Sequence, residues 1–514
     1  MSDAEKYAKR LTKGSGMIFG ALVISGITGL GLRMFLTRTF TLSDYGLLYL
    51  VFSWISFFTI FRDLGLNSAL SRFIPEFMAK NEFGRIKSLI LLVTGIQVLV
   101  TLPVAIFLMV FSDQIAVVMT GTASASFIIK IFTMWFFLML FFHVFRSAFQ
   151  GFQDHVPYSA MEILYITLTF CSVFIFVVWL GMGINGAALG YLSAVPILIT
   201  VWLVLFYKRH KNVFKAAPLF EREVTSRVLR YSLFIFIGGL GGVVLGYMDT
   251  IMIGMFRTTA EVGLYQAAQP ITALISYFPA ALGIVLLPMI SEIWAKNRRE
   301  TLSRALHSIL KFSSLIIVPA VFVLIAFPDV ALRSLFGSEY VLASVALQIL
   351  TFALVLNTLL AVLQQVAAGI EQPMLTTLTV LCMSSMNLVG NLILIPPYGI
   401  VGAAVTTLAS LIFGLALLSL LLRKFVKFAI PVVPILKMLI AGIFTTATIM
   451  FMKSVININP WWLEALVIVP PSLILYCVIV LTTKVLSPKD LVLLGKVVPL
   501  PGKIFRIMER MAGK

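Results

Sequence analysis

The sequence predicts an all-α, polytopic membrane protein of about fourteen transmembrane helices, organised as two pseudosymmetric six-helix lobes followed by two C-terminal helices. Three observations predict it. Of 514 residues, 60% are hydrophobic and only 12% charged, with a mean hydropathy of +1.04, far above the roughly half-apolar usage of a water-soluble domain. Apolar segments of about 20 residues, the length that crosses a hydrocarbon core about 30 Å thick at helical rise, recur almost from end to end. And short motifs return at one spacing along the chain.

The spans fall near 17–37, 45–65, 88–110, 127–149, 158–180, 187–207, 231–253 and 265–288, then 308–327, 344–366, 375–395, 400–422, 436–455 and 462–483. Period-2 alternation is absent, so helices rather than a barrel satisfy the backbone in lipid. Charge tests the map, because Lys and Arg in short loops stay cytoplasmic. With the N-terminus inside, 33 of the 39 Lys and Arg residues fall in inner segments, and only Arg33, Arg38, Lys130, Arg257, Arg333 and Lys453 fall elsewhere. Both termini are expected in the cytoplasm. The net charge of +18 thus reads as an inner-face belt that meets anionic membrane lipids, and no nucleic-acid partner is needed to explain it. Cys171, Cys382 and Cys477 each sit in a span without CxxC spacing, and His143, His155, His210 and His307 lack ligand spacing, so no disulfide framework and no metal is expected.

The repeat sets the architecture. Asp44-Tyr45-Gly46-Leu47 before the second span answers Glu261-Val262-Gly263-Leu264 before the eighth. Gly151-Phe152-Gln153 answers Gly369-Ile370-Glu371, and Gly183-Ile184-Asn185-Gly186-Ala187-Ala188 answers Gly399-Ile400-Val401-Gly402-Ala403-Ala404. The spacing is about 217 residues, the signature of a duplicated unit. Six helices separate equivalent positions, so the halves share one orientation and are related by an axis along the membrane normal. The expected domains are an N-lobe (1–207), a basic cytoplasmic linker (208–230), a C-lobe (231–422), and helices thirteen and fourteen with a basic tail (423–514). Two such lobes are expected to leave a polar cleft and to rock about it.

An ionisable side chain at the bilayer centre costs about 2.5 to 3.5 kcal/mol on insertion scales, so charges inside spans ask for a cavity or a partner. Arg33 lies in the outer half of span one and Asp249 in the outer half of span seven, and the repeat spacing carries Arg33 to within one residue of Asp249. Either both face the cleft and pair across it, or each reaches the outer headgroups. Lys130 and Arg38, near outer span ends, are secondary lumen candidates or interfacial anchors. Arg62, Asp63, Arg72 and Arg146 could line a cytoplasmic vestibule, although the charge rule already accounts for the arginines. Catalytic carboxylate pairs, a nucleophile elbow and a phosphate-binding loop are missing from the sequence, which points to a transporter without cofactors and without direct ATP coupling.

Several stretches resemble the polysaccharide-type flippases of the multidrug, oligosaccharidyl-lipid and polysaccharide exporter superfamily. They are Ser43-Asp44-Tyr45-Gly46, Asp63-Leu64-Gly65-Leu66 with Arg72 and Pro75-Glu76, Arg146 with Gln150-Gly151, Asp249, Glu261-Val262-Gly263-Leu264-Tyr265, and Pro288-Met289-Ile290-Ser291. The resemblance implies two helical bundles and the flipping of a polyprenol phosphate-linked or pyrophosphate-linked sugar from the inner to the outer leaflet for surface glycan synthesis. It further implies residence in the plasma membrane of a prokaryote alongside glycan-assembly enzymes. Cationic lumen residues would hold the phosphate, with Arg33 the best fit and Lys130 and Arg38 behind it. Asp249 would pair with Arg33 in the empty state and take up a coupling proton or sodium ion. A cation-coupled drug or metabolite exporter of the multidrug and toxin extrusion type shares the two-lobe plan. A membrane glycosyltransferase or polymerase is a third reading, disfavoured by outer loops under about twenty residues.

Overall fold

A computed structural model describes residues 3–455, 461–486 and 490, and the helices it contains are joined by short turns, with no strand among the described residues. In chain order they are α1 (Asp3–Thr39), α2 (Leu42–Phe57), α3 (Thr59–Asp63), α4 (Leu66–Ala79), α5 (Phe83–Val110), α6 (Ser112–Thr120), α7 (Ser126–Gly151), α8 (His155–Phe174) and α9 (Gly183–Arg209). Then follow α10 (Lys211–Lys215), α11 (Arg222–Phe256), α12 (Thr259–Ala295), α13 (Arg299–Ala326), α14 (Pro328–Leu335), α15 (Ser344–Gly369), α16 (Pro373–Leu422), α17 (Val432–Val455) and α18 (Trp461–Thr482). Eleven helical stretches are long and apolar enough to cross a bilayer. Counting the two arms of α16 separately and adding α12 and α18, of 37 and 22 residues, brings the total to the expected fourteen. The basic tail expected after residue 484 lies, except for 485, 486 and 490, outside the described residues.

Contacts divide the chain into two compact units. The first holds Met1–Pro270 and Thr377–Thr406, the second Ile271–Thr376 and Thr407–Lys514. In the first, α11 begins at Arg222, inside the expected linker, and the preceding residues are tied to α5. Arg85 holds the Glu221 carboxylate at 2.8 Å, and Lys87 Nζ donates to the carbonyls of Phe214 and Ala216 at 2.8 and 3.0 Å. In the second unit, α17 and α18 are built into the core, with Met438, Ala441, Tyr476 and Val480 packed on Ile317, Val321, Phe322 and Leu354.

The repeat is written in the backbone. Non-glycine left-handed residues are uncommon, yet Asn81 (φ 57°) is matched by Asn297 (φ 53°), and Gln153 (φ 56°) by Glu371 (φ 63°). Gly183 (φ 56°) is matched by Gly399 (φ 54°), and each opens the return arm of a helical hairpin. In the first hairpin Gly186 lies against the carbonyl of Phe176; in the second Gly402 lies against that of Leu394, which is why α16 runs for 50 residues and still counts as two crossings. The short helix α6 recurs as α14. The glycine motifs themselves meet. A Cβ on Gly46 would strike the Thr259 carbonyl and come 2.8 Å from Gly263 N, while one on Gly263 would lie 2.5 Å from the Leu42 carbonyl. Positions 42 and 46 thus face 259 and 263 reciprocally, the pattern a two-fold axis makes.

Candidate functional site

The outer-half charges sit beside this glycine crossing. The α2 start is fixed by a cap in which Thr41 Oγ1 accepts the Asp44 N–H at 3.1 Å and donates to Asp44 Oδ2 at 2.8 Å. That cap and the Gly46–Gly263 approach set α2 and α12 side by side, with Tyr45 and Tyr49 on one helix and Tyr265 and Gln266 on the other. Arg33 Nη1 donates to the Gln266 carbonyl at 2.8 Å and to Gln266 Oε1 at 3.1 Å. Its guanidinium carbon lies 4.4 Å from the Tyr49 ring centre, a cation–π contact. Tyr49 and Tyr191 share a hydroxyl–hydroxyl hydrogen bond of 3.1 Å, and Gln266 Nε2 donates to Thr250 Oγ1 at 2.7 Å.

Asp249 is buried one residue away and held by a different set. Tyr265 OH donates to its Oδ2 at 2.7 Å and Asn391 Nδ2 to its Oδ1 at 2.6 Å, with Asn387 Oδ1 accepting from the same amide at 3.1 Å. A carboxylate withdrawn from water needs such donors. Arg33 and Asp249 are thus held by neighbouring residues of α12, Gln266 and Tyr265 respectively. The reason is helical phase. The true repeat partner of Arg33 is Thr250, and one residue along a helix turns a side chain by about 100°. Arg33 is consequently a half-buried cation satisfied by dipoles and a ring face.

A second group lies further along α2 and α3. The helix breaks there, since Leu64 (φ 49°) and Gly65 (φ 71°) are both left-handed, and Asp63 Oδ1 accepts the Asn67 N–H at 3.1 Å to restart it as α4. Asp63 is thereby a capping residue. The break delivers Arg62, 6% exposed, to Phe136, whose carbonyl takes Nη1 at 3.3 Å and whose ring lies 5.5 Å away. Arg146 Nη2 sits 3.4 Å from Glu162 Oε2 and over the Tyr158 ring at 5.1 Å, and His143 lies close enough to feel the charge of both arginines. The Nε atoms of Arg62 and Arg146 are buried without a partner among the described residues.

The remaining predicted residues stand apart. Lys130 makes an exposed pair with Asp113 at 3.8 Å, Arg72 an exposed pair with Glu76 at 3.9 Å, and Arg38 is exposed at the end of α1. Two of the groups shifted outside the spans bear on the packing there. The hydrogen bond from Arg227 holds the Glu76 carboxyl below its ordinary range, and burial among Phe149, Phe152 and Phe206 lowers the His210 imidazole. Sequence reasoning missed Glu162, an acid inside the fifth span that charge alone reveals. It also missed Tyr49, Tyr191, Gln266, Tyr265, Asn387 and Asn391. The Asn pair at i, i+4 and the repeat partnership of Tyr49 with Gln266 were the available signals.

Fourteen apolar helical crossings among the described residues, a duplicated six-helix plan and charged side chains inside it, Arg62 among them buried, define a polytopic transporter. The same chain architecture appears in solved structures. Lipid II flippase MurJ in an inward closed conformation shares 17% identity with a TM-score of 0.73, covering 90% of this chain and 97% of that one. An inward-facing multidrug resistance transporter of the MATE family shares 16% with a TM-score of 0.65, covering 79% and 94%. Residues 11–294 match the polysaccharide biosynthesis protein family and residues 233–393 the MatE family. The chain belongs to the polysaccharide biosynthesis protein family, the polysaccharide-type branch of the multidrug, oligosaccharidyl-lipid and polysaccharide exporter superfamily. It is 28% identical over 432 residues to the uncharacterized membrane protein MJ1068 of Methanocaldococcus jannaschii, covering 80% of this chain and 84% of that one. It is 30% identical over 200 residues to the probable low-salt glycan biosynthesis flippase Agl15 of Haloferax volcanii, covering 39% and 42%.

Proposed function

We propose that this protein carries a polyprenol phosphate-linked or pyrophosphate-linked sugar from the inner to the outer leaflet of a prokaryotic plasma membrane by alternating access. The observation that supports it most is Arg33: a cation inside a span, held by the Gln266 carbonyl and side chain and the Tyr49 ring, with no carboxylate in an ion pair with it among the described residues. Arg is the side chain whose planar donors match phosphate oxygens. Arg62 and Arg146 form an earlier station. Arg62 follows Tyr49 by 13 residues, about 20 Å at helical rise, so cations serve the headgroup near both ends of the crossing. With the cell interior negative, outward movement of one negative charge gains about 2.3 kcal/mol per 100 mV. The Arg33–Gln266–Thr250 chain at the glycine crossing is the outer gate in its closed state.

The test is headgroup accessibility of a lipid-linked glycan in reconstituted vesicles. Arg33→Ala loses transport by about a hundredfold, the cost of removing one partner of a buried charge-assisted contact, and Arg33→Lys recovers part of it. Unchanged transport in Arg33→Ala removes the proposal.

The buried Asp249 with its Asn391 and Tyr265 donors favours one second reading, coupling to a proton or sodium ion, which also suits a cation-driven exporter. Asp249→Asn keeps the shape and removes the charge. Under the flippase reading with coupling, it abolishes stimulation by an ion gradient while gradient-free exchange of lipid-linked glycan survives. An exporter instead shows loss of drug-cation efflux with no glycan movement in either protein.

A further inference from the structure

On the end of the molecule predicted to face the cytoplasm, several basic residues sit beside carboxylates. Arg85 has Glu82 and Glu221, Arg209 has Asp154, Arg227 has Glu76, Lys296 has Glu292 and Lys311 has Asp490. One place in the second unit gathers five basic residues without such pairs. The start of α13 and the turn after α16 enclose a half-open cavity of about 620 Å³ ringed by Arg299, Arg304, Arg423, Lys424 and Lys427. Four crossings, by α13, α15 and the two arms of α16, separate these segments in sequence, so an even count returns the chain to the same end. Glu300 is the one carboxylate at the rim, and among the described residues none of the five cations forms an ion pair.

The turn is pinned so that its charges point outward. Val426 and Phe428 are buried at 1% and 7%, while Arg423, Lys424 and Lys427 are exposed between and beside them. His307 of α13 approaches the Ala429 carbonyl at 3.4 Å, fixing the turn to the helix that carries Arg299 and Arg304. Five like charges around one cavity repel one another, and that arrangement is stable when an anion fills it. The cavity also opens beside lipid-exposed helix ends: Leu420 on α16 and Val432 and Val433 on α17 are 60%, 54% and 63% exposed. An anion placed there would have hydrocarbon within reach of its tail.

We propose that this cavity binds the phosphate headgroup of an anionic phospholipid of the inner leaflet, with its acyl chains against the exposed ends of α16 and α17. The site is independent of the transport reading and uses none of its residues. The experiment is a titration of the purified full-length protein in neutral-lipid nanodiscs with phosphatidylglycerol, read by native mass spectrometry of retained lipid. Arg304→Gln with Lys424→Gln binds about thirtyfold more weakly, from two lost basic contacts at a membrane surface. Arg304→Lys with Lys424→Arg retains binding, and Arg209→Gln with Arg227→Gln, which removes the same charge from carboxylate-paired positions, leaves it unchanged. Raising the salt from 0.05 to 0.5 M weakens wild-type binding, as expected of exposed charges. Three results overturn the proposal: equal binding by the groove variant, equal loss in the paired-residue variant, or displacement of the lipid by millimolar inorganic pyrophosphate, which would assign the cavity to a soluble phosphate.

Discussion

Arg33 and Tyr49 of the first repeat stand where the second repeat has Thr250 and Gln266. The backbones correspond closely, down to left-handed residues at matching positions, yet one side supplies a cation and an aromatic face while the other supplies uncharged hydrogen-bonding groups. The difference continues inward. Arg62, His143, Arg146 and Glu162 of the first repeat correspond to the neighbourhoods of Pro279, Leu360, Leu363 and Thr379 in the second. Duplication preserved the scaffold and concentrated ionic chemistry in one copy, so the phosphate-handling role proposed above belongs to the first repeat and the carboxylate Asp249 to the second.

The comparison can be broken at its scaffold first. Gly46→Val puts methyl groups into the Thr259 carbonyl and should cost about 4 kcal/mol or more, seen as a large drop in the thermal midpoint of purified protein. Gly16→Ala, whose added Cβ meets nothing within 4 Å, should be neutral or raise stability by about 0.5 to 1 kcal/mol. Equal effects at the two sites would mean the reciprocal crossing does not carry the fold. The chemistry can be sharpened next. Gln266→Leu strips Arg33 of its side-chain acceptor and Thr250 of its donor, a loss of about 1 to 3 kcal/mol. Cysteines placed at the outer end of α1 should then label faster from outside, and unchanged labelling would deny Gln266 its place in the gate.

The smallest effect tests the same asymmetry outside the bilayer. His210, stacked on Phe152 at 3.9 Å, lies near the repeat position of the buried Val426. Burial lowers its folded pKa, so the unfolded chain binds the proton more readily. The stabilising contribution is complete above the ordinary histidine value of about 6.5 and is lost as pH falls through that value towards the folded one. His210→Val, which gives the first repeat the apolar character of the second, should abolish the part of the midpoint decline that wild type shows between pH 7.5 and 5. A wild-type midpoint that rises on acidification would reverse the sign and reject the assignment.

Much of this was legible in residues. Apolar length and the placement of Lys and Arg gave the spans, because the bilayer imposes its thickness on any sequence that crosses it. Arg33 and Asp249 stood out because charge within such a span is costly. Their mutual arrangement was not legible: an offset of one residue separates pairing from facing different neighbours, and hydropathy carries no phase at that precision. Gln266, Asn387, Asn391 and the tyrosines hid for another reason, since uncharged polar side chains scarcely disturb an apolar window. Glu162 was visible and belongs beside Arg146 by charge alone.

The reciprocal approach of residues 42 and 46 to residues 259 and 263 has a historical corollary. A contact in which each partner offers the other the same patch is what two copies of one half-length polypeptide would form on meeting. The present chain therefore reads as a fused homodimer, and its two halves, produced as separate polypeptides, should still find each other in a membrane through that glycine seam.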